Sequence, residues 1–405
     1  FETIRDTSIS ASLVFVGYGI RAPELNFDEY QNIDVKGKIV VAMTHSPAEK
    51  NMTPSTESLA DYRFSSNLRK IETARITGAA GIILVTDPLN HILLKPKGYP
   101  WPSLLKMIPG NAEPLVLESA NTAFTAIHAG EEFIRLVFGS VDQLKNLQKK
   151  INQELKPVSY PIPDIQAEIT TTLSPVRFKA DNVVAIIPGS DPVLKDQILV
   201  LGAHYDHIGK LNDSDDKEED IIFNGADDNA SGTAAVMAIA EAFAKSERQP
   251  ARTVIFALFA AEEIGLLGST SLLNQPPFAT DSVVAMLNFD MVSRGGPDTL
   301  YLEGHSRTPE LSDIILKYAP DLGIHPVTNN RESIGGSDHA SFIRKGIPAI
   351  HFFSGIHKDY HQVSDNPDTI DPDKASRVSR LGFRTAWEIA NSDRKFILLP
   401  PSSKP

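Results

Sequence analysis

Two glutamates, Glu262 and Glu263, stand side by side at the end of the apolar run RTVIFALFAA. That run has the composition of a buried strand, and a pair of carboxylates at its mouth is costly unless something compensates the charge. Other chemistry-bearing residues follow similar runs. DQILVLGAHYDH delivers His204, Asp206 and His207, NGADDNASG holds Asp227 and Asp228, and LNFD ends in Asp290. A later loop, DYHQVSDNPDTID, supplies Asp359, Tyr360, His361 and Asp365. Gathered in one cleft, these carboxylates would repel one another, and a divalent metal, or two sharing a carboxylate, resolves that directly. Imidazole with carboxylate and no thiol suits Zn²⁺, Mn²⁺ or Co²⁺. Two such ions about 3.5–4 Å apart across one carboxylate activate a water between them. The chemistry also needs a base that is not a ligand. Neighbouring residues at a strand end point in different directions, so Glu262 and Glu263 could divide the two tasks.

Strands must hold these residues. From about Asp164 the near-continuous apolar runs DQILVLGAHYD, RTVIFALFAA, SVVAMLNFD and GIPAIHFF alternate with helical patterns. The helices are SGTAAVMAIAEAFAKS, TPELSDIILKYAP and ASRVSRLGFRTAWEIANS. Strands buried on both faces and interleaved with helices predict an α/β sheet covered on both sides, with ligands at the carboxyl ends of its strands. Before it, residues from Ser12 to about Ser140 alternate short apolar runs (SLVFVGYG, KGKIVVAM, AAGIILVTD, EPLVLES) with helix-like stretches such as SNLRKIETARITG. This smaller strand-rich α/β unit shows no paired carboxylates or histidine cluster in sequence. SVDQLKNLQKKINQEL reads as a charged amphipathic helix and KPVSYPIP as a Pro-rich connector, which sets the expected domains at 1–157 and 158–405.

Composition narrows the partners. With 39 Lys+Arg against 51 Asp+Glu the net charge is -12, which argues against nucleic acid and anionic membrane. No apolar run approaches the roughly 20 residues that span a bilayer. There are no cysteines, so disulfides, thiol catalysis and Cys-based zinc sites are excluded. Phe1 is not an initiator Met, so an N-terminal segment such as a signal peptide is expected to be missing, and the expected location is periplasmic or secreted.

GAHYDHIG, NGADDNASG, FAAEEIGLLGS, LNFDMV and DYHQVSDNPDTI resemble, in order, the metal-site motifs of the two-zinc exopeptidases. That family includes bacterial leucyl aminopeptidases and glutamate carboxypeptidases. The resemblance covers the second region and implies a three-layer αβα zinc-exopeptidase sheet. It implies that His204 and Asp290 hold one zinc, Glu263 and His361 the other, and that Asp228 bridges both. It assigns Glu262 as general base, Asp206 as the carboxylate orienting His204, and Tyr360 as donor to the oxyanion. It also implies a cis Asp228–Asn229 peptide. LVFVGYGI, VKGKIVVA and ARITGAAGIILVTD are similar to the protease-associated domain that accompanies many members. In such members part of the peptidase domain precedes that insert.

The implied activity is peptide hydrolysis at a chain terminus, by an aminopeptidase rather than a carboxypeptidase or dipeptidase. A terminal carboxylate wants an arginine cluster, and Arg294, Arg307, Arg331 and Arg344 form none in sequence. A glutaminyl cyclase shares the fold with one zinc, and transferrin receptors pair the two domains without metal, but the ligand set here reads as complete. Other polar residues have plainer readings. His207, His305, His339, His351 and His357 read as surface or satisfied core histidines, with GGSDHASF near the cleft by resemblance. Asp227 reads as a loop or cap residue, Ser231 as a helix N-cap, and DSDDKEED as a solvated loop rather than a Ca²⁺ site.

Overall fold

The computed structural model describes residues 6–47, 66–93, 117, 124–172, 177–210, 220–328 and 336–400. They divide into two compact units that part between Arg177 and Phe178.

In the first unit, β1 (Thr7–Val16), β2 (Ile39–Met43), β3 (Gly81–Val85) and β4 (Thr125–Ala129) join β5 (Ser159–Thr171) in a five-stranded sheet. Its order is β4-β3-β2-β1-β5. The first four strands run parallel, and β5 runs antiparallel to β1. This moves the boundary expected at 157/158. Strand β5 pairs along all of β1, from Thr7 opposite Thr171 to Val16 opposite Ser159, so most of the Pro-rich connector and the residues after it complete the first sheet. Helix α1 (Asn67–Ile76) is capped by Ser66, whose Oγ accepts from Arg69 N. After α1 come α2 (Glu131–Phe138) and α3 (Val141–Glu154), whose apolar faces close over Phe15, Val41 and Ile83 through Ile134, Leu144 and Ile151. The expected strand EPLVLES lies outside the described residues apart from Leu117.

The second unit is built on β6 (Val183–Ile187), β7 (Ile198–His204), β8 (Thr253–Phe259), β9 (Val283–Phe289), β10 (Thr299–Glu303), β11 (His325–Val327) and β12 (Ala349–Phe353). Their order is β11-β10-β12-β9-β7-β8-β6. Strands β12, β9, β7 and β8 are mutually parallel, and their side chains are buried almost without exception, as the apolar runs predict. Leu199, Leu201 and Ala203 pack with α4 (Gly232–Ala244), α6 (Pro309–Tyr318) and α8 (Pro372–Ala390). Ile198 and Val200 pack on the opposite face with α5 (Leu267–Asn274) and α7 (His339–Arg344). The result is the three-layer αβα arrangement. Antiparallel β6 and the strands β10 and β11 are the ones the apolar runs do not reveal. Residues on β6 stay largely exposed because it forms an edge. Among the described residues no helix is long and apolar enough to cross a membrane.

Strand β7 lies between β9 and β8, and the chain leaves it first toward β8 and then toward β9 on its other side. Such a reversal opens a crevice at the carboxyl ends. Packing at β7 is tight: a Cβ on Gly202 would stand 2.4 Å from Phe259 Cε2 and 3.0 Å from Met286 Cε. Gly202→Ala is therefore expected to cost about 1–3 kcal/mol. Chemical denaturation of wild type and variant measures it.

Candidate metal centre

The first site residue closes β7. The backbone of His204 continues the strand pairing with Phe259, and its carbonyl accepts from Thr233 Oγ1 of α4. Its imidazole is fully buried, with Nε2 3.3 Å from Asp228 Oδ1 and 3.3 Å from Asp290 Oδ1. Asp228 turns its other oxygen away: Oδ2 lies 3.2 Å from His361 Nε2, which is 3.3 Å from Glu263 Oε2. One carboxylate thus faces two imidazole–carboxylate pairs, one per oxygen. Glu262 falls on the His204 side, within 4.8 Å of the ligand atoms of His204 and Asp290. The sequence-expected residues His204, Asp228, Glu262, Glu263, Asp290, Tyr360 and His361 therefore meet in one place.

Backbone geometry aims the two glutamates. After β8 the chain enters the left-handed region at Ala261 (φ 57°), and the amides of Gly265 and Leu266 turn back onto Glu262 O. The carboxylate of Asp206 then accepts from Glu262 N (3.1 Å) and Glu263 N (3.3 Å). This corrects the role implied for Asp206. His204 Nδ1 bonds the backbone carbonyl of Asp206 at 3.1 Å, while the Asp206 carboxylate is 3.7 Å away and holds the Glu262–Glu263 turn instead.

The bridging loop is fixed from below. Asn229 accepts from Gly232 N and Met291 N and donates to Phe289 O, tying the loop to α4 and the end of β9. The Asp228–Asn229 peptide is cis, as the resemblance implies. Gly225 has φ +61°, and a Cβ there would lie 2.3 Å from Asp228 O and 2.6 Å from His207 Cγ. Asp365, fully buried, accepts from Asp227 N (3.0 Å) and Asp228 N (3.1 Å), and its carbonyl accepts from Ala226 N. The Asp227 carboxylate accepts from Ser231 Oγ and from Ser293 N and Oγ, so it is a loop anchor as expected. Ser231 is not the N-cap its sequence position suggests. It already has helical backbone angles, and its hydroxyl bridges Asp227 and Val292 N.

Three residues escape the sequence reading. His207 is 92 % buried by side chain and bonds Glu263 Oε1 through Nδ1 at 2.7 Å, so it positions that carboxylate. His357 sits with Nε2 3.3 Å from Asp227 Oδ2. Asp338, in GGSDHASF, is fully buried, and burial pushes its carboxyl up to about 7 against the pull of His204. An H-x-D-H spacing could have suggested His207, whereas Asp338 carries no comparable signal. His351 and His339 stack in the core, with His351 Nδ1 3.0 Å from Glu303 Oε2, and His305 bonds Leu302 O. DSDDKEED lies outside the described residues except for Asp220.

The adjacent glutamates are electrostatically unlike. Burial pushes Glu262 well above the usual carboxylate range despite His204, with Asp290, Asp338 and Glu263 adding to the rise. Burial also opposes ionisation of Glu263, yet the hydrogen bond from His207 and the neighbouring His361 imidazole hold it down at about 2. For His361 burial favours the neutral ring, but Asp228 and Glu263 raise it to about 9. The site calls for positive charge.

A metal fits these donors. The imidazole–carboxylate separations of 3.2–3.3 Å match the edge of a tetrahedral shell with bonds of about 2.0–2.1 Å. Asp290 Oδ1 and His361 Nε2 are buried atoms with no hydrogen-bond partner. Ordinary hydrogen bonding leaves such atoms unsatisfied; a cation does not.

Residues 182–386, about half of the chain, match the model for Peptidase family M28. The chain belongs to Peptidase family M28. Among curated relatives it is 34% identical over 193 residues to leupeptin-inactivating enzyme 1 of Streptomyces exfoliatus, covering 47% of this chain and 40% of that protein. It is 28% identical over 222 residues to a probable leucine aminopeptidase of Arthroderma otae, covering 53% of this chain and 59% of the relative. The chain thus spans about half the length of the curated relatives it matches. A zinc aminopeptidase from Bacillus subtilis aligns over 96% of this chain and 76% of its own, at 17% identity and a TM-score of 0.44. The M28 match contains His204, Asp228, Glu262, Glu263, Asp290 and His361.

Asp365 gives this site its first test. Asp365→Ala strips an acceptor from two buried amides of the bridging loop, which is expected to cost about 2–5 kcal/mol. Thermal unfolding and elemental analysis should show a lower midpoint together with reduced bound metal.

Proposed function

We propose that this M28 member is a two-zinc aminopeptidase, with His204 and Asp290 holding one ion, Glu263 and His361 the other, and Asp228 shared. The observation that carries this reading is the division of Asp228 between two imidazoles, one oxygen to each at 3.2–3.3 Å. Zinc is supported by the family and by the imidazole–carboxylate donor set. Mn²⁺ or Co²⁺ could substitute.

When bound, the ions would polarise the scissile carbonyl and acidify a water. The chain's own residues do the rest. Glu262, beside Glu263 but outside the closest donor pairs, takes the proton from the attacking water and returns it to the leaving amine. Burial, with neighbouring carboxylates, raises Glu262 toward the range in which a carboxyl both accepts and donates near neutral pH. Asp206 holds the Glu262–Glu263 turn, and His207 fixes the Glu263 carboxylate. Tyr360, whose ring stacks on that of His361 with centroids 3.8 Å apart, donates to the developing oxyanion. Burial and the charges of Asp228 and Glu263 raise that phenol, so it stays protonated.

The choice of the amino end rests on the arginines. Arg294 is committed to Asp359 at 2.7 Å and to Thr369, and Arg307 to the Leu399 carbonyl. Neither offers the paired guanidinium a terminal carboxylate needs. Arg331 lies outside the described residues. Peptides with a free N-terminus are the proposed substrates.

Hydrolysis of aminoacyl-p-nitroanilides by wild type and Glu262→Gln, with metal content measured on both, tests the assignment. The account expects equal metal and a loss of about 100-fold or more in kcat for the variant. Loss of metal in Glu262→Gln would make Glu262 a ligand. Cleavage confined to N-blocked substrates would refute the aminopeptidase reading.

A further inference from the structure

His361 is the most exposed of the side chains assigned to metal, at 36%, against 10% or less for His204, Asp228, Glu263 and Asp290. It lies in no helix or strand, partway along the connection from β12 to α8, and its backbone is left-handed (φ 57°). His204 ends a core strand and Asp290 directly follows one. The turn that carries His361 needs another means of support.

The sequence spaces three side chains evenly there, as His357, His361 and Asp365. All three reach the same two residues of the bridging loop. Asp365 accepts from the amides of Asp227 and Asp228, and His361 Nε2 lies 3.2 Å from Asp228 Oδ2. His357 Nε2 lies 3.3 Å from Asp227 Oδ2. The His357 carbonyl also accepts from Tyr360 N at 3.1 Å, so the same residue closes the turn that leads into His361.

The His357 contact is buried, with 8% of its side chain exposed and none of Asp227's. Asp227 engages Oδ1 with Ser231 Oγ, Ser293 N and Ser293 Oγ. Its Oδ2 and the His357 ring nitrogens are buried atoms with no hydrogen-bond partner, and buried apart they would be costly. At 3.3 Å the imidazole and the carboxylate compensate one another as a pair. The consequences of losing His357 are one-sided. Asp227 would keep Ser231 and Ser293, and the bridging loop would keep Asp365 and Asn229, so the His204 side stays in place. The His361 turn would lose its tie to that loop on its N-terminal side, retaining there the Asp359–Arg294 pair.

We propose that His357 is a positioning residue for the metal held by His361. It ties the His361 turn to Asp227, next to the shared Asp228, and so fixes the approach of His361 Nε2 to Asp228 and Glu263. This role rests on the two-zinc reading above.

The test compares wild type, His357→Ala, His357→Gln and His357→Asn by zinc titration of metal-free protein against a competing chelator. His361→Ala marks which binding step belongs to that site. His357→Ala should weaken the marked step about 10–100-fold and leave the other nearly unchanged. His357→Gln, whose amide reaches the same carboxylate, should restore most of the loss. His357→Asn, polar but shorter, should behave as alanine does and guards against a variant that does not fold. In metal-free protein the amides of Tyr360, Gln362 and Asp365 should exchange hydrogen faster in His357→Ala than in wild type or His357→Gln. A residue that only supported the fold would weaken both steps alike. That result, unchanged binding in the alanine and asparagine variants, or no rescue by glutamine overturns the proposal. Wild type that binds a single zinc fails the two-zinc reading instead, and the exchange comparison, which needs no metal, then decides whether His357 holds the turn.

Discussion

Compensation of buried negative charge is the constraint on which the second unit depends. Asp228, Glu262, Glu263 and Asp290 converge on two imidazoles where the central strands end. Carboxylates so placed cannot all ionise without compensating positive charge. The surrounding structure keeps them there nonetheless. Asn229 locks the bridging loop to β9, Asp365 accepts its amides, Asp206 holds the glutamate turn, and Arg294 ties down Asp359. These anchors leave Asp290 Oδ1 and His361 Nε2, among the atoms that face one another, without a hydrogen-bond partner. A site organised in this way is prepared for cations.

The adjacent glutamates show how a single turn yields two chemistries. Glu263 is drawn toward His207 and His361 and stays ionised; Glu262 points into a more buried space ringed by Asp290 and Asp338 and is driven toward protonation. Nothing in the residue type distinguishes them. The left-handed residue Ala261 sends consecutive side chains into unlike surroundings, and the surroundings separate ligand from base.

The parts of this site that are legible in sequence are those fixed by single strands. His204 ends β7 and Asp290 follows β9, and a buried parallel strand advertises its end by the sudden change from apolar to polar residues. Contacts that depend on loops packing against loops leave no such mark. His207 reaches Glu263, Asp365 reaches the amides of Asp227 and Asp228, and Asp338 approaches the cleft across separations no periodicity records. In the first unit a cluster of His45, Asp87 and His91 is hidden similarly, since its members lie in two βα loops that only the parallel pairing of β2 and β3 brings together. The domain boundary falls elsewhere than expected because a Pro-rich connector resembles a linker, yet its own residues from Ser159 onward, continuing to Thr171, form a strand paired along the whole of β1. Edge strand β6 escapes notice for the opposite reason: it exposes residues that a core strand would bury.

The central claim is that Asp228 lies between two metal ions. Anomalous scattering at the zinc edge from crystals of the zinc-loaded protein tests it most directly. The account predicts two peaks about 3.5–4 Å apart, one bonded to His204 and Asp290, the other to Glu263 and His361, with one Asp228 oxygen on each. A single peak, or a peak bonded to Glu262 in place of Glu263, would contradict it.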